Sequence, residues 1–161
     1  MIRLGPIAMA ALLLGCFDPA HSDRVDALGP EAAGVPTGPL HRPGQPCTVC
    51  HGGDGPGSPT FDLAGTVFEL KDQRLPAFGA TVLLIDSQGS TQSAATNEAG
   101  NFWIPESELS LGFPIWSNVE FDGETIEMRT PIYRGRSCGE CHGDPPGPSA
   151  VGHVYARSPT P

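Results

Sequence analysis

The pattern Cys-x-x-Cys-His occurs twice, as CTVCH from Cys47 to His51 and as CGECH from Cys138 to His142. The two copies enclose the one stretch that is patterned like a folded core. From residue 61 to 130, LAGTVFEL, ATVLLID and NFWI are short apolar runs rich in β-branched and aromatic residues, with STQSAAT as a more polar strand between them. SQGS and NEAGN are turn clusters. WSNVEF and ETIEMRT flank Asp122-Gly123, a pair suited to a type I′ hairpin turn. Six or seven strands in this length predict a mainly β fold, a small antiparallel β-sandwich. The segments around the motifs are loop-rich with short helical turns. From His41 to Thr60 the single aliphatic residue is Val49, so that stretch has no core of its own.

The composition agrees. The 161 residues include 21 Gly and 18 Pro, which implies much loop. The formal charge is -9, with Lys71 the only lysine. Such a balance excludes nucleic acid as a partner and does not favour docking on anionic lipid.

The N-terminus reads as an export signal. Arg3 precedes a short apolar run from Ile7 to Leu14, too short to span a bilayer. Leu13-Leu14-Gly15-Cys16 resembles the bacterial lipobox, in which the cysteine is acylated and becomes the first residue. The resemblance implies a signal peptide at 1–15, lipidation of Cys16 and attachment to a membrane by lipid, with Phe17 at the next position pointing to the outer membrane. Residues 16–46, rich in Pro, Gly and Ala, read as a flexible tether reaching on the order of 30 Å.

Within 61–130, the central run resembles the carboxypeptidase regulatory-like module, a transthyretin-like sandwich. Gly65, Val67, Gly79, Ala80, Val82, Thr96, Gly100 and Phe102 carry the likeness. It implies a scaffold and no catalytic residue.

Cys-x-x-Cys serves redox disulfides, half zinc sites and covalent haem attachment. The histidine that follows discriminates. Two thiols one helical turn apart meet the two vinyl groups of haem, and the next residue brings an imidazole under the iron. Both motifs continue Cys-His-Gly, and CHGDPPGPSAVGH resembles segments of bacterial multihaem cytochromes c. That resemblance implies one haem held by Cys47 and Cys50 with His51 as proximal ligand, in the segment 47–60. It implies a second held by Cys138 and Cys141 with His142 as proximal ligand, in the segment 131–161. A haem also supplies apolar surface to segments that lack it. The rivals are one zinc held by the four thiolates and a pair of disulfides.

His41 and His153 share the low-complexity segments with the motifs and are the candidate distal ligands. His21, five residues from Cys16, is set aside. Met128, at even parity with Ile126, reads as core packing. Arg129, Arg134 and Arg136 read as a solvated strand end or haem-propionate partners. Trp103 and Trp116 read as packing or surface aromatics. The whole resembles a dihaem c-type cytochrome lipoprotein of the bacterial envelope. It would be an electron carrier with redox proteins as partners rather than an enzyme, although peroxide reduction would follow from an open haem position. The competing class is a non-redox binding or scaffold lipoprotein.

Overall fold

A computed structural model describes residues 18–35, 37–145 and 151–158. The signal peptide and Cys16 lie outside the described residues. Seven strands form two facing sheets. They are β1 (Phe61–Phe68), β2 (Thr81–Asp86), β3 (Thr91–Ala95), β4 (Asn101–Pro105), β5 (Ile115–Phe121), β6 (Glu124–Glu127) and β7 (Val154–Tyr155). One sheet runs β3-β2-β5-β6, antiparallel throughout; the other runs β4-β1-β7. The fold is mainly β, a small β-sandwich, as the strand pattern predicts.

Period-two burial builds it. In β2, Val82 and Leu84 point inward while their neighbours are half-exposed. They meet Leu63, Val67, Phe102, Ile104, Ile115 and Val119 in one core. The β5–β6 hairpin turns at Asp122 (φ 49°) and Gly123 (φ 83°), the left-handed pair a type I′ turn requires. Met128 lies past the end of β6, half-buried, its N–H donating to the Ser117 carbonyl at 2.9 Å.

β1 breaks the alternation: all six residues from Leu63 to Phe68 are buried. Leu63 and Val67 face the core. Ala64, Thr66 and Phe68 face outward and are covered by chain from both ends of the sequence. The Gly44 N–H donates to Thr66 Oγ1 at 2.8 Å, and that hydroxyl donates to Asn101 Oδ1 at 2.7 Å. From the other end, β7 pairs parallel to β1 at Val67↔Val154 and Phe68↔Tyr155. Ser137 bridges Ala64 on the same edge, in parallel sense.

Two expectations need correction. The tether assigned to 16–46 holds structure from Asp18 onward. Helix α1 (Pro19–Ala27) is capped by Asp18, whose side chain accepts from the N–H groups of Ala20 and His21. Residues 38–46 are then stapled to the sandwich: Asn101 Nδ2 donates to the carbonyls of Pro39 and His41 at 3.2 and 3.0 Å. Hydrogen bonds between side chains and the backbone, which leave no apolar pattern, do this ordering. The sandwich also exceeds the boundaries 61–130. β7 comes from the segment assigned to the second motif, pairs in parallel sense, and Ile132 bridges Ile115.

Gly65 is where the second motif meets β1. A Cβ there would sit 2.7 Å from Cys138 Sγ and 2.9 Å from the Phe102 ring. Gly65→Ala is expected to cost about 1–3 kcal/mol through overpacking. Its urea midpoint should fall with the slope unchanged; an unchanged midpoint would contradict the packing.

A candidate paired Cys-x-x-Cys-His centre

The first motif forms a single α-turn, α2 (Cys47–His51), with Val49 and His51 buried. The second forms a 3-10 turn over Cys138–Glu140, and the N–H of His142 donates to the Cys138 carbonyl at 2.8 Å. The sequence predicts helical turns at both places. The two turns touch. A Cβ at Gly139 would meet the Gln45 carbonyl and the Pro46 nitrogen at 2.6 and 2.7 Å, immediately before Cys47. The motifs lie 91 positions apart by their first cysteines, yet both rest on β1.

Each motif imidazole is held the same way. His51 Nδ1 donates to the Pro59 carbonyl at 2.6 Å, and His142 Nδ1 donates to the Gly152 carbonyl at 2.7 Å. A carbonyl only accepts, so each Nδ1 carries the proton and each Nε2 keeps a lone pair. This is how proteins fix a metal-bound imidazole.

The first motif opens on an apolar cavity of about 660 Å³, lined by Cys47, Cys50, His51, His41, Phe61 and Trp103 among others. That volume falls within the roughly 300–1,000 Å³ of pockets that take organic ligands and cofactors. His51 packs flat on Phe61 with centroids 4.6 Å apart, and Phe61 packs on Trp103 at 5.7 Å. His41 lies near His51 with centroids 5.8 Å apart and planes 23° from parallel. In this state His41 Nδ1 accepts from the Gly38 N–H at 3.3 Å. Ligation through Nε2 would transfer the proton to Nδ1 and end that long bond.

Three buried polar atoms have no hydrogen-bond partner among the described residues: His21 Nε2, Glu31 Oε2 and Ser137 Oγ. Glu31 lines the first cavity and Ser137 directly precedes Cys138. Such atoms are rare in folded proteins; Ser137 also lies within hydrogen-bonding reach of the Cys47 thiol.

Haem therefore fits the first motif on donor set, cavity and pinned imidazole. The second has the same donors and the same pinning, and it runs directly into residues 146–150, which lie outside the described residues. The motifs differ in their thiols. Burial pushes the Cys47 thiol up to about 11, and burial together with nearby Cys47 pushes the Cys138 thiol up to about 12. Burial also raises Cys50. Cys141 is exposed. Cys47, Cys50, Cys138 and Cys141 are free thiols, and no three His, Cys, Asp or Glu side chains converge as a metal site among the described residues.

His153, the other candidate distal ligand, is held by its neighbours. Its Nδ1 donates to the Gln73 carbonyl at 3.2 Å, its Nε2 lies 3.6 Å from Asp144 Oδ1, and its ring packs on Phe68 with centroids 4.3 Å apart. Asp144 in turn pairs with Arg74 at 2.5 Å. Of the arginines near the second motif, Arg136 reaches Asp62 at 3.9 Å.

Sequence reasoning missed Arg42, Glu31, Phe61 and the cavity-facing role of Trp103. Arg42 ties the cavity rim together, donating to Glu31 at 3.1 Å, Gln45 at 2.8 Å and the Gly29 carbonyl at 2.7 Å. Strand parity was the available signal for Trp103: Phe102 and Ile104 face the core, so Trp103 between them faces out.

No protein-family model, no curated protein and no solved structure matches the chain. No described helix is long and apolar enough to cross a membrane.

In haem-free protein, the raised thiols stay protonated in the fold after unfolded thiols ionise, so folding stability should fall as pH climbs above the ordinary thiol value of 9.0. Iodoacetamide should modify Cys141 first at neutral pH. Modification of Cys47 and Cys138 should accelerate about tenfold per pH unit, levelling only near 11 and 12. Mass spectrometry of the alkylated peptides reads this, and equal rates at Cys138 and Cys141 would refute it.

Proposed function

We propose that the protein is a dihaem c-type cytochrome that carries electrons in the bacterial envelope, anchored by lipid on Cys16, at the outer membrane. The observation that carries this reading is the identical pinning of His51 and His142 by backbone carbonyls, each leaving Nε2 free directly after a Cys-x-x-Cys turn. The cavity against the first motif supports it. Cys47 and Cys50 would hold one haem covalently with His51 on its iron; Cys138, Cys141 and His142 would hold the other. His41 is the distal candidate at the first centre.

Haem supplies one-electron chemistry; the protein supplies ligation, exclusion of water and placement. The apolar lining built by Phe61, Trp103 and α2 keeps water from the first centre. The contact between the motif turns favours exchange between the two centres within one chain. The sandwich serves as scaffold, the role implied by its likeness to carboxypeptidase regulatory-like modules. Acidic surface suits basic redox proteins as partners.

The test is a reduced pyridine haemochrome spectrum on protein exported from a host that matures c-type haem. About two covalent haems per chain are expected. Cys47→Ser with Cys50→Ser, and Cys138→Ser with Cys141→Ser, should each leave about one. Protein without haem would sink the reading and favour a non-redox binding lipoprotein.

A further inference from the structure

The cavity at the first motif and a second hollow share one wall. β3 and β4 are each the edge strand of their sheet. Between them lies a surface groove of about 290 Å³, lined by Gln92, Ala94, Asn97, Ile104 and Trp103 among others. Of the described residues, Trp103 alone lines both hollows.

Trp103 also ends a row of rings. His51 packs on Phe61 with planes 17° apart, and Phe61 on Trp103 with planes 25° apart. Their centroid separations of 4.6 and 5.7 Å fall in the range of about 4.5–7 Å for aromatic pairs in contact. A β-bulge makes the row possible. Phe61 has the parity of Leu63 and Val67, which face the core, so a regular strand would turn it inward. Instead Phe61 pairs with Pro105 and Leu63 with Ile104, which leaves Asp62 as an extra residue on β1. A bulge re-aims the side chain next to it, and Phe61 comes out onto His51 and Trp103. The ladder beyond the bulge holds Trp103 opposite Ala64.

The inference rests on one half of the reading above, a haem at Cys47, Cys50 and His51. The Pro59 carbonyl takes His51 Nδ1, so Nε2 is left for iron and the row starts at the iron's own ligand. Electrons tunnel more readily through packed rings than across water. We infer that Trp103 is the outlet of the first centre. One electron passes between the haem iron and a one-electron partner at the β3–β4 groove by way of His51, Phe61 and Trp103. No bond forms or breaks. The iron changes between ferrous and ferric, the partner changes by one electron in the opposite sense, and the indole conducts without being oxidised itself.

The test injects an electron from the groove. It uses the full-length chain with Cys138→Ser and Cys141→Ser, which leaves the first haem alone; the two-haem protein serves if that variant does not fold. Haem content and reduction potential are measured first. Glu108 is exposed on the groove's rim. Glu108→Cys is labelled with a ruthenium polypyridine complex after haem attachment, and peptide mass spectrometry confirms the site. A flash then drives one electron from the complex to the ferric haem, and the visible spectrum times its arrival. A second label, at Glu127→Cys, sits on β6, the opposite edge strand of the sheet that contains β3. A shifted potential, a wetter cavity or a loosened ligand changes the rates from both labels alike. Loss of the outlet changes only the rate from Glu108→Cys. The ratio of the two rates should therefore fall severalfold in Trp103→Leu and recover in Trp103→Phe, which keeps a ring. An unchanged ratio in Trp103→Leu, or no recovery in Trp103→Phe, would overturn the inference. Protein without haem would instead sink the reading of the first motif itself.

Discussion

The architecture depends on β1 being approached from both faces at once. A strand in a small sandwich ordinarily gives one face to the core and one to water. Here the core takes Leu63 and Val67, and the outer face takes the chain that leads into the first motif, through Gly44 and Thr66. Gly65, with no side chain, lets Cys138 come down against the strand. Six successive buried residues are the result. A single strand thereby serves as the common bed for two segments that lack cores of their own. Their separation in sequence becomes contact in space because both are referred to the same few residues.

The sandwich was legible because alternation is a local property. The apolar runs, the turn clusters and Asp122-Gly123 each state their own conformation, and all fall where strands or turns occur. The flanks were less legible because long-range hydrogen bonds order them. Nothing in PLHRPGQ announces that Asn101 will hold its carbonyls. For α1 a signal did exist. Asp18-Pro19 is a helix start, an N-cap followed by proline at the first position. No apolar stripe accompanies it, and α1 has no buried residue. β7 was hidden by brevity, two residues in a segment read for its histidine.

The candidate centre shows the same division. Residue type and spacing picked out Cys47, Cys50, His51, Cys138, Cys141 and His142. Spacing could not show that His41 would line the first cavity beside His51, or that the ring nitrogens of His153 would face Gln73 and Asp144, because long-range packing sets both.

The start of α1 at Pro19 also changes how the molecule would ride on a membrane. With Cys16 acylated, as proposed, Phe17 and Asp18 alone separate the lipid from ordered protein. Two or three residues reach about 10 Å at full extension, far less than a long coil. The body would be berthed rather than moored, with the first motif's turn against α1. A redox partner would have to meet it at the bilayer surface, in a narrow range of orientations, whether that surface faces the periplasm or the outside of the cell.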